Sequence, residues 1–243
     1  MHNAYAWNPV GMSGARQLVL DLPVRPALGR DDFFVAPANA LAVAMVDRWP
    51  DWPMRRLAVV GPPGAGKTHL AHVWSARSGA VIVPVAALPG LAVGEVAGDA
   101  ALAVEDADRV GALGPVAEEA LFHLCNRLAA EGSLLLSGRE PPARWPVTLP
   151  DLASRLAATP PARLEPPDDA LLGAVLVKLF ADRQIAVEPD LVQYLLPRME
   201  RSFAAAEATV AALDRAGLAR RRPVTARLAG EVLRMPEQAS GIR

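Results

Sequence analysis

Four short apolar runs, LAVVG (57–61), VIVPV (81–85), ALAVED (101–106) and SLLLSG (133–138), recur along the chain, and ARLEP (162–166) adds a shorter fifth. Between them lie stretches whose apolar residues return every three or four positions. Continuous apolar strands alternating with helices predict a parallel sheet covered on both faces. The clearest helix is PVAEEALFHLCNRLAAEG: Pro115 starts it, Leu121, Leu124, Cys125 and Leu128 form its stripe, and Gly132 is expected to end it. Within that stripe Cys125 reads as core, and His123 beside it reads as surface.

After EPPDD (165–169) the pattern becomes purely helical. DDALLGAVLVKLFADRQ places Leu171, Leu172, Val175, Leu176, Leu179 and Phe180 on one face. EPDLVQYLLPRM and RSFAAAEATVAALDRAG follow, then TARLAGEVL with Thr225 as its cap. The expected organisation is a loose tail over 1–30, an α/β base domain over 31–166 and a small helical domain over 167–243, joined by a proline-rich hinge.

Composition narrows the possibilities. The chain has 243 residues, 52% of them apolar, so a sizeable core is expected. A formal net charge of −1 argues against a broad basic face for nucleic acid, and ARRRP (219–223), the basic cluster of the chain, reads as a solvated inter-helix loop. The single cysteine excludes an internal disulfide and suits a reducing cytoplasm. No apolar run is long enough to span a bilayer, and MHNAYAWNPVGMSGAR lacks the layout of a secretory signal.

The candidate chemistry begins at GPPGAGKT, which fits G-x-x-x-x-G-K-[ST] between an apolar strand and a helix. In such a loop, here Gly61, Pro62, Pro63, Gly64, Ala65 and Gly66, the glycines let backbone amides turn inward around phosphate oxygens, and the helix N-terminus beyond adds its dipole. Lys67 would reach the terminal phosphates of ATP or ADP, and the Thr68 hydroxyl would hold Mg²⁺. His69 and His72 read as packing or surface residues rather than metal ligands, with His69 at the edge of the phosphate site. A phosphate loop also needs a carboxylate at a neighbouring strand end. ALAVED supplies Glu105 and Asp106, with Asp108 just beyond. The usual order is Asp for the metal and Glu for the attacking water. Here the order is reversed, and if Asp106 is the metal ligand the base position falls on Ala107. Either register predicts poor hydrolysis.

Together these segments resemble the DnaA-related AAA+ family, and within it the truncated Hda-type regulatory inactivators of DnaA. DDFFVAPANALAVA (31–44) is similar to the family's adenine-side segment, which implies Phe33, Val35 and Asn39 around the base. LLLSGREPP resembles its first sensor strand and implies Ser137 near the γ-phosphate. LPDLASRL (149–156) resembles its arginine-finger segment, with Arg155 in the finger position and acting in trans. Arg201 in MERSFAAAEA stands where the helical lid offers a second sensor. The resemblance implies an AAA+ P-loop NTPase with a five-stranded parallel sheet and an all-helical lid, and head-to-tail contacts that could include self-association. The roughly ten residues after the last predicted helix are expected to add no DNA-reading helix-turn-helix domain. Ahead of the base domain, QLVLDLP (17–23) matches the Q-x-x-L-x-[FL] pattern of sliding-clamp ligands, with Gln17, Leu18, Leu20 and Leu22 in the contact. An edge strand packed on the base domain is the competing reading. The function these features imply is an adaptor that, with the DNA-loaded clamp, stimulates ATP hydrolysis by DnaA. The alternatives are a self-contained ATPase such as a helicase loader, and a DnaA-like initiation factor.

Overall fold

The computed structural model describes residues 35–234. The expected tail, with Gln17, Leu18, Leu20 and Leu22 of the clamp-type segment, and Phe33 of the adenine side lie outside the described residues. Five parallel strands form one sheet: β1 (Arg56–Val60), β2 (Val81–Pro84), β3 (Ala101–Glu105), β4 (Ser133–Gly138) and β5 (Pro161–Arg163), in the order β2-β3-β4-β1-β5. β1 lies between β4 and β5, with Leu57 opposite Leu135 and Val60 opposite Gly138. Every residue of β1 and β4 is buried. Burial on both faces explains why these runs are continuously apolar rather than alternating.

The pleat sorts the strand residues into two cores. Ala58, Val60, Leu134 and Leu136 face α3 (Pro115–Arg127) and α4 (Pro150–Ala157), packing on Leu121, Leu124, Leu152 and Leu156. Leu57, Val59 and Leu135 face α1 (Ala40–Asp47) and α2 (Lys67–Ser78), packing on Val43, Leu70 and Trp74. Cys125 is buried and His123 exposed, as the helical stripe implies.

One boundary differs from expectation. α3 ends at Arg127, with Leu128 as its C-cap, five residues before Gly132. Leu128 is still buried in the core, which extends the apolar stripe past the helix. Gly132 serves close packing instead: a Cβ there would lie 2.8 Å from the carbonyl oxygens of both Gly98 and Ala100.

Past residue 168 only helices follow among the described residues: α5 (Asp169–Asp182), α6 (Pro189–Leu195), α7 (Phe203–Arg220) and α8 (Ala226–Leu233). Asp168, Ser202 and Thr225 accept from the third residue onward and cap α5, α7 and α8. Leu172, Leu176, Phe180, Leu191, Leu195, Val210, Leu213 and Leu228 form a third core, separate from the two on the sheet. No helix among the described residues is long and apolar enough to cross a membrane.

Candidate functional site

The site lies at the C-terminal ends of the strands, where open α/β sheets bind ligands. β1 delivers Gly61, whose amide donates to the Gly138 carbonyl at 3.2 Å. A Cβ at Gly61 would sit 2.4 Å from the Leu164 carbonyl oxygen, so the crossing of the chain after β5 requires glycine there. Gly64 and Gly66 turn the loop in the left-handed region, at φ +73° and +93°. Pro62 and Pro63 are exposed and Ala65 is buried. α2 starts at Lys67 without a side-chain cap, which leaves its first amides to an anion.

The Lys67 ammonium donates to the carbonyls of Gly61 at 2.8 Å and Pro62 at 2.9 Å. Burial pushes its pKa below the ordinary lysine value, and the Arg139 guanidinium adds to that push. The carboxylates of Asp106 and Asp108 oppose it. Two acids and an arginine therefore share the immediate field of Lys67.

Those groups are laced together. The Asp106 amide donates to Ser137 Oγ at 3.0 Å, and the Arg139 amide donates to Asp108 Oδ2 at 2.9 Å. Asp106 itself takes a left-handed conformation at φ +52°, unusual for a residue with a side chain. Glu105 Oε1 is buried with no hydrogen-bond partner, an arrangement that costs free energy unless a cation or donor meets it. That orphaned oxygen, the uncapped start of α2 and the exposed Thr68 beside Lys67 fit a phosphate accompanied by Mg²⁺. Among the described residues no three His, Cys, Asp or Glu side chains cluster as a self-sufficient metal site.

The structure places the remaining expected residues unevenly. Asn39 is buried, and its Oδ1 accepts from the Ala36 amide at 2.8 Å. Its segment reaches the site through Glu165, whose amide donates to the Ala38 carbonyl. Val35 is exposed and His69 half-buried. Arg201 is exposed and pairs with Asp169 at the start of α5, 3.0 Å away.

Arg155 lies at the other end of the sheet. α4 runs back toward the start of β5, and Arg155 occupies its last turn, exposed. It is close enough to influence Cys125, beside Arg56 at the opening of β1. The length of β1, roughly 13–16 Å, therefore separates Arg155 from the phosphate loop of its own chain.

Sequence reasoning did not assign the residues that close over the loop. The Phe203 amide donates to the Gly64 carbonyl at 3.1 Å. A Cβ on Gly64 would come within 2.2 Å of Ser202 Cβ, and one on Gly66 within 3.0 Å of the Phe203 ring. The capped start of α7 thus rests directly on the loop. The signal in the sequence was Ser202 three residues before Ala205, a cap ahead of an apolar-periodic run.

A second overlooked group is Glu118. Its buried carboxylate accepts from the Thr148 amide (2.9 and 3.0 Å), the Thr148 hydroxyl (3.0 Å) and the Leu149 amide (2.7 Å), tying α3 to the entrance of α4. Burial alone would raise its pKa, but those donors more than offset it and hold the carboxyl below its ordinary value.

No protein-family model matches the sequence. Among solved structures, domain III of the replication initiation protein DnaA from Thermotoga maritima superposes with a TM-score of 0.73 at 16% identity, covering 88% of this chain and 100% of that one. AMPPCP-bound DnaA from Aquifex aeolicus gives 0.67 at 16% identity, over 80% of this chain and 67% of that one. A RuvB variant from Thermotoga maritima gives 0.61 at 14% identity, over 81% and 66%. The chain has the AAA+ P-loop NTPase fold, built on a five-stranded parallel sheet with helices.

Proposed function

We propose that this chain is a nucleotide-holding AAA+ adaptor of the cytoplasm that, with a DNA-loaded sliding clamp, stimulates ATP hydrolysis by the initiator DnaA and so prevents re-initiation of replication. The observation that carries the reading is Arg155: it is exposed, on a helix braced by Glu118, at the end of the sheet remote from its own phosphate loop. A cation so placed serves a second molecule better than its own site. In a partner's site it would stabilise charge on the phosphoryl group in transfer, an effect worth about 10³–10⁵ in rate for arginine fingers.

The chain's own site is read as a holder of ADP or ATP. The amides of Gly64 and Gly66, the first turn of α2 and the Lys67 ammonium would bind the phosphates, while Val35 and Asn39 would lie on the adenine side. Thr68, Glu105 and Asp106 would hold Mg²⁺, which when bound neutralises phosphate charge. That one neighbour of the same fold is an AMPPCP-bound DnaA supports an adenine nucleotide. Arg201, exposed beside the start of α7, would exchange Asp169 for a phosphate oxygen. The reversed order of Glu105 and Asp106 favours holding over hydrolysis. QLVLDLP would supply the clamp contact.

A second reading, a self-contained ATPase such as a helicase loader, is favoured by the closeness of Asp106 and Asp108 to Lys67. Hydrolysis of ATP by the purified chain alone separates the two. The adaptor reading expects little turnover alone and faster turnover of DnaA-bound ATP when chain and loaded clamp are both present. Brisk turnover by the chain alone, with DnaA unaffected, would replace it.

A further inference from the structure

The strand end beside the phosphate loop carries an arginine that lies outside the phosphate-loop motif. β4 ends at Gly138, whose carbonyl accepts from the Gly61 amide at 3.2 Å, so Arg139 leaves the sheet alongside the start of the loop. Its backbone is held from two sides. The Arg139 amide donates to Asp108 Oδ2 at 2.9 Å, and the next carbonyl, that of Glu140, accepts from Trp145 Nε1 at 2.7 Å. Trp145 is buried and packs so closely on Gly138 that a Cβ there would lie 2.7 Å from its ring. Arg139 is therefore exposed yet anchored.

These bonds are made by backbone and leave the side chain out. Asp108 is met by the Arg139 amide rather than by its guanidinium, and the neighbouring acid, Glu140, pairs with Arg144 at 3.2 Å. Burial lowers the pKa of Lys67, and the Arg139 guanidinium stands close enough to lower it further. The lysine of a phosphate loop reaches the β- and γ-phosphates, while the loop amides cradle the α- and β-phosphates. A cation beside Lys67, but carried by the neighbouring strand, therefore faces the end of the nucleotide that projects beyond the loop and not its base.

We propose that Arg139 is a ligand of the γ-phosphate in this chain's own site, and that through it the site distinguishes a nucleoside triphosphate from a diphosphate. The inference rests on the reading that the loop holds an adenine nucleotide. A guanidinium fork matches two phosphate oxygens at once, and charge-assisted bonds of this kind are about twice as strong as neutral ones. Because the backbone of Arg139 is already fixed by Asp108 and Trp145, less freedom is lost when the side chain engages. The carboxylates of Asp106 and Asp108 also act on Lys67, so an incoming γ-phosphate enters a field that holds acids, and Arg139 offsets their repulsion. A diphosphate ends before this position and gives Arg139 nothing to hold.

The test is isothermal titration calorimetry of the full chain with ADP and with AMPPCP, each in the presence of Mg²⁺. Arg139→Ala keeps the backbone bond to Asp108. It is expected to weaken AMPPCP binding by about tenfold or more, the worth of a hydrogen bond to a charged group, while ADP affinity changes by less than about threefold. Arg139→Lys, which keeps the charge and loses the fork, should fall between the parent and Arg139→Ala for AMPPCP. Retained ADP affinity shows that both variants are folded. The inference is overturned if Arg139→Ala binds AMPPCP as tightly as the parent, or if its losses for ADP and AMPPCP are equal. A parent chain that binds neither nucleotide would instead overturn the holding reading, and the inference with it, so the two failures are told apart by the parent's own titration.

Discussion

Replacing Gly64 with alanine probes the contact between the start of α7 and the phosphate loop, because the perturbation falls on both sides of it. The residue stands at φ +73°, where a side chain costs roughly 1–2 kcal/mol in backbone strain. Its new methyl group would lie 2.2 Å from Ser202 Cβ, an overlap that Ser202, buried at the helix cap, cannot escape by rotating. Overpacking of this kind costs about 1–3 kcal/mol. The expected total is about 2–5 kcal/mol, or a smaller loss of stability if α7 lifts off and forfeits the Phe203–Gly64 hydrogen bond instead. The assay is denaturant unfolding of the four members of a double-mutant cycle with Ser202→Gly, whose own cost is only a few tenths of a kcal/mol because glycine caps tolerably. Removing Ser202 Cβ should restore about 1–3 kcal/mol to the Gly64→Ala protein while leaving the φ strain in place. If Gly64→Ala is equally destabilising with Ser202 and with glycine at 202, only backbone strain is at work and the packing of α7 on the loop is refuted.

Three further substitutions each probe a single group. Glu118→Gln should destabilise the protein by about 2–4 kcal/mol near neutral pH, since it removes a charged acceptor and sets an NH₂ group against backbone donors. The folded carboxyl is held below its unfolded value, so its contribution is full above the unfolded pKa and disappears as pH falls through the folded one. The gap between parent and variant, measured by unfolding at a series of pH values, should therefore close below pH about 4.3; a constant gap would show that the charge of Glu118 is not what braces α4. At the phosphate loop, Lys67→Ala should abolish nucleotide binding and DnaA stimulation together, whereas Asp106→Asn should keep both largely intact. Calorimetric nucleotide titration beside the DnaA turnover assay checks this pair, and loss of stimulation from Asp106→Asn with nucleotide still bound would mean that the site must hydrolyse.

Local sequence carried the strands because β1 and β4 are buried on both faces, so that SLLLSG is a strand over all six of its residues. The phosphate loop was equally legible, since its glycines and lysine are needed for local backbone geometry and charge. The end of α3 was not, because Leu128 continues the apolar stripe while leaving the helix, and stripe and helix then part company. Contacts between distant segments were also hidden. Nothing near Gly64 announces Ser202, and Glu118 looks like any acid in a first helical turn until Thr148 and Leu149 close over it. Arg201 shows the same limit: its pairing with Asp169 depends on where α5 begins relative to α7, which no periodicity encodes.

The central claim is that catalysis appears in the partner and that Arg155 delivers it. The direct measurement is single-turnover hydrolysis of ATP bound to DnaA, in the presence of DNA-loaded clamp and either the parent chain or Arg155→Ala, with nucleotide affinity of each chain measured in parallel. The account predicts that Arg155→Ala binds nucleotide as the parent does and loses stimulation by about 10³-fold or down to the unstimulated rate, whichever is reached first. Undiminished stimulation by Arg155→Ala, or a loss matched by an equal loss of the chain's own nucleotide affinity, would contradict it.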